Sequence, residues 1–291
     1  FSVMPPQAQF LETHQQFGLS TYDEHEDGSG VCLVSRLRPI LHMRLGTDIW
    51  QFNADTHLTD WLEEKGYACD ILTDEDLHEE GVSLLENYRC VVTATHPEYY
   101  TREMLDAVEA YNAKGGRFVY SGANGFYWRV AFSDAFPGAM EMRRAEDGMR
   151  AWIAEGGEYY MQFTGELGGL WRRMGHPPQM VAGTGFTAQG FDRSEPYRRT
   201  AESEDARAAW IFEGIARDEV IGDFGLVGGG AAGWEIDRVD FALGTPPHAL
   251  TVAVADTFSA AYHWVKEEFN HAHSAITGET QPLVRCDMVF F

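Results

Sequence analysis

Residues 88–104 read YRCVVTATHPEYYTREM, and the way this stretch changes character decides the fold class. Cys90 to Ala94 is an apolar run of strand type. From Thr101 the pattern becomes helical, with Met104, Leu105, Val108 and Tyr111 on one face and Thr101 as the N-cap. Between the two lie His96, Pro97, Glu98, Tyr99 and Tyr100. Gly115-Gly116 stops the helix, and Arg117 to Ser121 forms the next strand, which runs into Gly122-Ala123-Asn124-Gly125. The same alternation extends upstream. Pro39 to Met43 reads as a strand. Asp55 or Thr56 caps a helix carrying Leu58, Trp61 and Leu62, Gly66 ends it, and Tyr67 to Leu72 reads as a second strand. Residues 1–130 therefore predict an α/β core with a doubly wound, mostly parallel sheet. Ligands of such sheets gather at the carboxyl ends of the strands, so His96-Pro97-Glu98 and Ser121 to Asn124 are expected to face one crevice.

Residues 131–235 are rich in Gly, Trp, Arg and turn dipeptides and predict a loop- and β-rich part. Gly228-Gly229-Gly230 permits positive φ or close approach to a ligand. Residues 236–291 predict a strand, HALTVAVAD, and a helix, SAAYHWVKEEFNHAH, with Tyr262, Val265 and Phe269 along one side. The whole reads as one catalytic-type domain, 1–291. It starts without a methionine and stops in an apolar run, as a piece of a longer polypeptide would.

The 291 residues hold 45 acidic and 22 basic side chains, a net charge of -23. That balance repels a phosphate backbone and an anionic lipid surface, so neither nucleic acid nor membrane is an expected partner. Small neutral or cationic ligands, metal ions and basic proteins are compatible with it. The four cysteines, Cys32, Cys69, Cys90 and Cys286, match neither a disulfide framework nor a zinc motif. Cys69 and Cys90 fall in strand-like runs and read as buried thiols. A reducing cytoplasm fits this usage, and no apolar run reaches 18 residues.

Each chemical candidate has a bland alternative. His96 and Glu98, held close by Pro97, suit acid–base work or metal ligation; equally, Glu98 starts a helix favourably and His96 packs. Asn124 between glycines is able to orient a carbonyl or an oxyanion, or is a turn residue. Glu235 beside Trp234 has the setting for a raised pKa, or is an exposed strand residue. Tyr22 offers a hard anionic oxygen for a cation such as Fe3+, or packs. DEHEDGSG lacks the EF-hand spacing. His271 and His273, with His263 upstream, suggest weak metal binding or a solvated helix end. The strand-turn-helix elbow of a serine or cysteine nucleophile is missing, because His-Pro-Glu stands where it belongs. The glycines at 225 to 233 lack a dinucleotide-binding setting.

Five stretches carry a family resemblance: LSTYDEHEDGSGVC, WQFNADTHLTDWLEEKGYACDILTDEDLH, THPEYYTREMLDAVEAYNAKGGRFVYSGANGFYW, GFTAQGFDRSEPYRR and FEGIARDEVIGDFGLVGGGAAGWEIDR. In this order they resemble the C-terminal catalytic domain of the N,N-dimethylformamidase large (β) subunit family. The resemblance implies an α/β fold similar to class I glutamine amidotransferases without their cysteine. It implies a mononuclear Fe3+ held by Glu98, Tyr22 and a tyrosine upstream of Phe1, with His96, Asn124 and Glu235 as further catalytic residues. The implied activity is cleavage of dimethylformamide, or a related small amide, to dimethylamine and formate. The implied partners are a small-molecule amide, a small subunit and further copies of that heterodimer. Two other readings stand beside it: an inactive amidotransferase-like binding or assembly domain, and a metal-independent hydrolase.

Overall fold

The computed structural model describes residues 10, 13–41, 43, 52–144, 152, 157–225, 228–265, 276–280 and 284–291. In chain order the elements are β1 (Leu33–Ser35), α1 (Phe52–Glu64), α2 (Asp74–Glu80), α3 (Val82–Leu85), β2 (Val91–Val92), β3 (Tyr99–Tyr100), α4 (Arg102–Ala113), β4 (Phe118–Val119), β5 (Trp128–Phe132), β6 (Ala139–Met142) and β7 (Gly169–Leu170). They continue with α5 (Gln179–Ala182), β8 (Gly185–Glu195), β9 (Tyr197–Arg199), β10 (Val220–Ile221), β11 (Ala232–Arg238), β12 (Leu250–Ala255), β13 (His263–Val265), β14 (Ile276–Thr280) and β15 (Cys286–Phe290).

The expected doubly wound parallel sheet is not there. Four separate sheets form among the described residues. Only two strand pairings, β2 with β4 and β3 with β5, are parallel. The β1-β6-β5 ladder, the β11-β8-β13-β14 sheet and the β10-β9-β12-β15 sheet are antiparallel. The alternation around residue 100 does produce a parallel pair joined across α4, but β2 and β4 stop after two residues each. Long glycine-bearing strands in the second half then pair with their neighbours in the antiparallel sense.

Two predicted strands are loops. Residues 39–41 and 67–72 pair with nothing among the described residues, while Leu41, Tyr67 and Ile71 stay exposed, so no buried apolar face drives pairing there. His42 lies outside the described residues. Cys69 and Cys90 are exposed rather than buried, one in that loop and the other just before β2. The predicted helix over 259–273 is contradicted at His263–Val265, which is β13. His271 and His273 lie outside the described residues. Tyr262 shows why pairing wins: it is fully buried, donates its hydroxyl proton to the Arg193 carbonyl (2.9 Å) and accepts the Trp234 N–H (2.9 Å). A residue braced on both β8 and β11 leaves the next ones aligned with β8.

The helix after the decisive stretch forms as expected. Thr101 Oγ1 accepts the Met104 N–H at 3.3 Å, and Gly115 takes φ 82 beyond the last turn. Met104, Leu105, Val108 and Tyr111 are buried against Leu85, Tyr100, Phe126, Trp171 and Val181. Burying side chains of this size contributes about 1.5–3 kcal/mol each. A second cluster joins the front of the molecule to the antiparallel sheet behind it: Tyr127, Trp128 and Leu170 pack on Phe186 of β8 and Val265 of β13. That seam positions the site. No helix among the described residues is long and apolar enough to cross a membrane.

Candidate active site

His96 sits at φ 71, and its carbonyl accepts the Glu98 N–H at 2.9 Å, closing a tight turn on Pro97. The turn brings both side chains to one side, with His96 Nε2 3.3 Å from Glu98 Oε2. Its location is fixed from two directions. Asp55 of α1 accepts the Thr95 N–H (2.8 Å) and hydroxyl (2.6 Å). The carbonyls of Pro97 and Glu98 accept N–H groups from Phe126, Tyr127 and Trp128 at 2.9–3.1 Å. Position 122 must be glycine, because a Cβ there would collide with the backbone nitrogen of His96.

Glu235 reaches the same point from β11. The β11–β8 register breaks between Ala232 and Trp234, and Trp234 adopts φ 62. A bulge of this kind re-aims the following side chain. Glu235 Oε2 ends 3.2 Å from His96 Nε2, so the imidazole lies between two carboxylates. Asn124, at φ 58 and buried, sets its side chain close enough to the Glu235 carboxylate to favour its ionised form. The described non-glycine residues with positive φ are His96, Asn124, Phe126 and Trp234, all in this one region. Such backbones cost roughly 1–3 kcal/mol each and persist where the surroundings hold them, commonly at sites of chemistry.

Burial pushes the Glu235 carboxyl up; the His96 charge and the Asn124 side chain only partly oppose this, and the pKa reaches about 7. Burial alone would pull His96 down. The hydrogen bond to Glu98 and the charges of Glu98, Glu235 and Asp237 outweigh it, and the imidazole is raised to about 9. Near neutral pH the pair therefore consists of an imidazolium beside a carboxyl group poised to give or take a proton.

Next to Glu98 the structure places two phenols. The hydroxyls of Tyr22 and Tyr99 are hydrogen-bonded to each other. Burial raises both pKa values and the Glu98 charge adds to the effect. The guanidinium of Arg144, itself fully buried, lies 3.9 Å over the Tyr22 ring and 4.7 Å over Trp128 and opposes that rise. Among the described residues no group of three or more His, Cys, Asp and Glu is placed to hold a metal. Two phenol oxygens and one carboxylate are nevertheless hard donors, and a trivalent cation would relieve the negative charge they share. Tyr22 and Glu98 thus fit the ligand roles that the resemblance implies.

All five predicted residues, Tyr22, His96, Glu98, Asn124 and Glu235, converge on this region. Tyr99, Tyr120, Arg144 and Asp237 were missed. Tyr99 adjoins Glu98 in the opening stretch, and Tyr120 precedes SGAN. Asp237 stands two residues past Glu235, which on a strand puts it on the same face. Arg144 carried no local signal. A cavity of about 300 Å³ lined by His78, Arg102, Arg129, Phe163 and Glu166 shares no residue with the cluster, and its Arg129 is paired with Glu166.

An imidazole between the buried Glu98 and the part-buried Glu235, the latter with a near-neutral pKa, defines a site of acid–base type. Residues 11–291 match the family model described as N,N-dimethylformamidase beta subunit-like, C-terminal, and the chain belongs to that family. It is 45% identical over 290 residues to the N,N-dimethylformamidase beta subunit of Paracoccus aminophilus and 44% identical to that of Alcaligenes sp. Each match covers 97% of this chain but 38% of the relative's length.

Proposed function

We propose that this chain carries the catalytic site of an amidohydrolase acting on small N-substituted formamides, with dimethylformamide giving dimethylamine and formate. The observation that carries the reading is His96 Nε2 held 3.3 Å from Glu98 and 3.2 Å from Glu235, with Asn124 on Glu235. Glu98 and Tyr22 would hold Fe3+ together with a further tyrosine from outside this chain. When bound, the ion supplies Lewis acidity and charge neutralisation.

The protein's own groups do the rest. Glu235 takes a proton from the attacking water and returns it to the departing amine nitrogen, a role that suits a pKa of about 7. His96, as imidazolium, holds the Glu98 and Glu235 carboxylates at a fixed separation and lends positive charge to the developing oxyanion. Asn124 keeps the Glu235 carboxylate in register with the substrate. The name of the relatives as β subunits supports a partner chain, which we propose is a small subunit.

The test is iron content and dimethylformamide turnover of the full-length polypeptide with its partner. Glu98→Ala is expected to lose both. Retention of full turnover by that variant sinks the reading.

A further inference from the structure

We propose that Asp237 is a positioning residue for catalysis: it holds Asn124 at a fixed distance from Glu235 by tying the 120–126 turn to the strand that bears the base. The proposal rests on the functional reading above and assigns a role to a residue outside it.

Asp237 is 5% exposed and lies on β11 two residues beyond Glu235. A second register break falls between Ile236 and Asp237, where the extra residue lies on β8, so the β11–β8 pairing is irregular on both sides of Glu235. Both oxygens of Asp237 are used by the turn that follows β4. Oδ1 accepts the Asn124 backbone N–H at 3.2 Å, and Oδ2 accepts the Tyr120 hydroxyl at 2.7 Å. Tyr120 Oη in turn accepts the Gly125 N–H at 2.7 Å, which fixes the direction of its own proton toward Asp237. One carboxylate thereby binds both ends of a turn whose Asn124 and Phe126 carry positive φ, 58 and 56. A bulky residue such as Phe126 does not adopt that backbone unaided.

The geometry makes this a strut and not simply a brace. Asn124 donates its backbone N–H to Asp237 and turns its side chain toward Glu235, whose ionised form it favours, and the two carboxylates share one strand. Moving Asp237 therefore changes the Asn124–Glu235 relation directly. The negative charge is itself informative. Glu98, Glu235 and Asp237 crowd one buried region and push against one another, and a neutral amide would spare the fold that cost. A charged acceptor grips a backbone N–H more firmly than a neutral one, which suits a residue required to hold a strained turn.

The experiment compares Asp237→Ala, Asp237→Asn and Tyr120→Phe with the unaltered full-length protein and its partner. It measures kcat and KM for dimethylformamide, iron content, thermal midpoint and a crystal structure of Asp237→Ala. The expected result is a fall in kcat of about 100-fold for Asp237→Ala, with KM within about threefold and iron retained. Asp237→Asn keeps one acceptor and is expected to lose about 10-fold, as is Tyr120→Phe, which leaves the Asn124 bond in place. The crystal structure is expected to show Asn124 departing from φ 58. An unmoved 120–126 turn in that structure overturns the proposal whatever the activity. So does a kcat within about threefold of the unaltered protein, or a loss that tracks iron and folded protein alone. Absence of turnover in the unaltered, iron-loaded protein would instead overturn the functional reading, and the crystallographic arm would still decide the strut.

Discussion

The site is assembled from two regions built by different rules. The front, residues 91–132, is a short parallel unit in which a strand end, a tight turn and a capped helix follow one another. It supplies His96, Glu98 and Asn124. The back is an antiparallel sheet with broken register, and it supplies Glu235 and Asp237 from β11. In the front, side chains are aimed by local chain geometry: Pro97 turns Glu98 toward His96, and Gly122 lets the neighbouring strand end approach. In the back, they are aimed by misregistration that depends on β8, more than forty positions away in sequence. The difference separates two jobs. The front holds charge in place, and the back presents a group whose proton affinity is set by burial against the front.

If that division is right, the largest effect comes from the back. Glu235→Gln keeps shape and hydrogen bonding but removes proton transfer, so kcat is expected to fall by about 10²–10⁴ with iron content unchanged. Loss of iron in this variant would erase the division, because it would make the back strand part of the ligand shell. Steady-state kinetics with parallel metal analysis reads both.

Asn124 sharpens the comparison, since it combines a front-region backbone with a contact to the back. Asn124→Gly suits φ 58 better than asparagine does, so the fold is expected to be as stable or slightly more so. Turnover is nevertheless expected to drop about 10²-fold through loss of the amide. Equal activity in the glycine variant would reduce Asn124 to a turn residue, the bland reading open to it from sequence.

Gly122→Ala probes the front alone. Its Cβ would meet the His96 backbone, and overpacking of this sort costs about 1–3 kcal/mol. Gly66→Ala is the control: φ is 76 there but nothing lies within 4 Å, so only the backbone penalty of about 1 kcal/mol applies. Chemical denaturation compares the two, and a smaller loss at 122 than at 66 would mean the turn is not held as tightly as its contacts imply.

These contrasts also explain what was legible in the sequence. Thr101 and the helical spacing of Met104 to Tyr111 are local signals, and both appear where expected; the strand read over Cys90 to Ala94 is shorter, Val91–Val92, and ends well before His96. Strand pairing is not local. Tyr67 to Leu72 has the composition of a strand and lacks a partner; Tyr262 to Val265 has the spacing of a helix and is drawn onto β8 by register. The sheet class failed for the same reason, because two-residue parallel strands and long antiparallel ones look alike to a window of residues. The site residues were marked by their local setting, a Pro-fixed turn at His96 and Glu98, glycines around Asn124 and Trp234 beside Glu235, and by the family resemblance in both regions. Asp237 came from neither, since its partners, Tyr120 and Asn124, are 117 and 113 positions away.

The smallest effect is on stability as pH changes, and it tests whether the two regions share protons. Glu235 is raised from 4.5 to about 7, Asp237 from 3.8 to about 6, and His96 from 6.5 to about 9. All three shifts are upward, so the folded site holds protons that the unfolded chain has released. The stability each contributes is complete below its unfolded value and is lost as pH rises through its folded one. For the iron-free protein this site therefore predicts a decline in stability from about pH 4 to pH 9, with the Glu235 component lost between 4.5 and about 7. Glu235→Gln removes that component and also lowers His96, because the carboxylate that favours the imidazolium is gone. The variant's thermal midpoint is expected to fall less over this range, by about 2–4 °C for each kcal/mol of that component. Identical pH slopes for the two proteins would mean that Glu235 is ionised in the fold as it is in water. The base would then lack the near-neutral proton affinity on which its division of labour with the front depends.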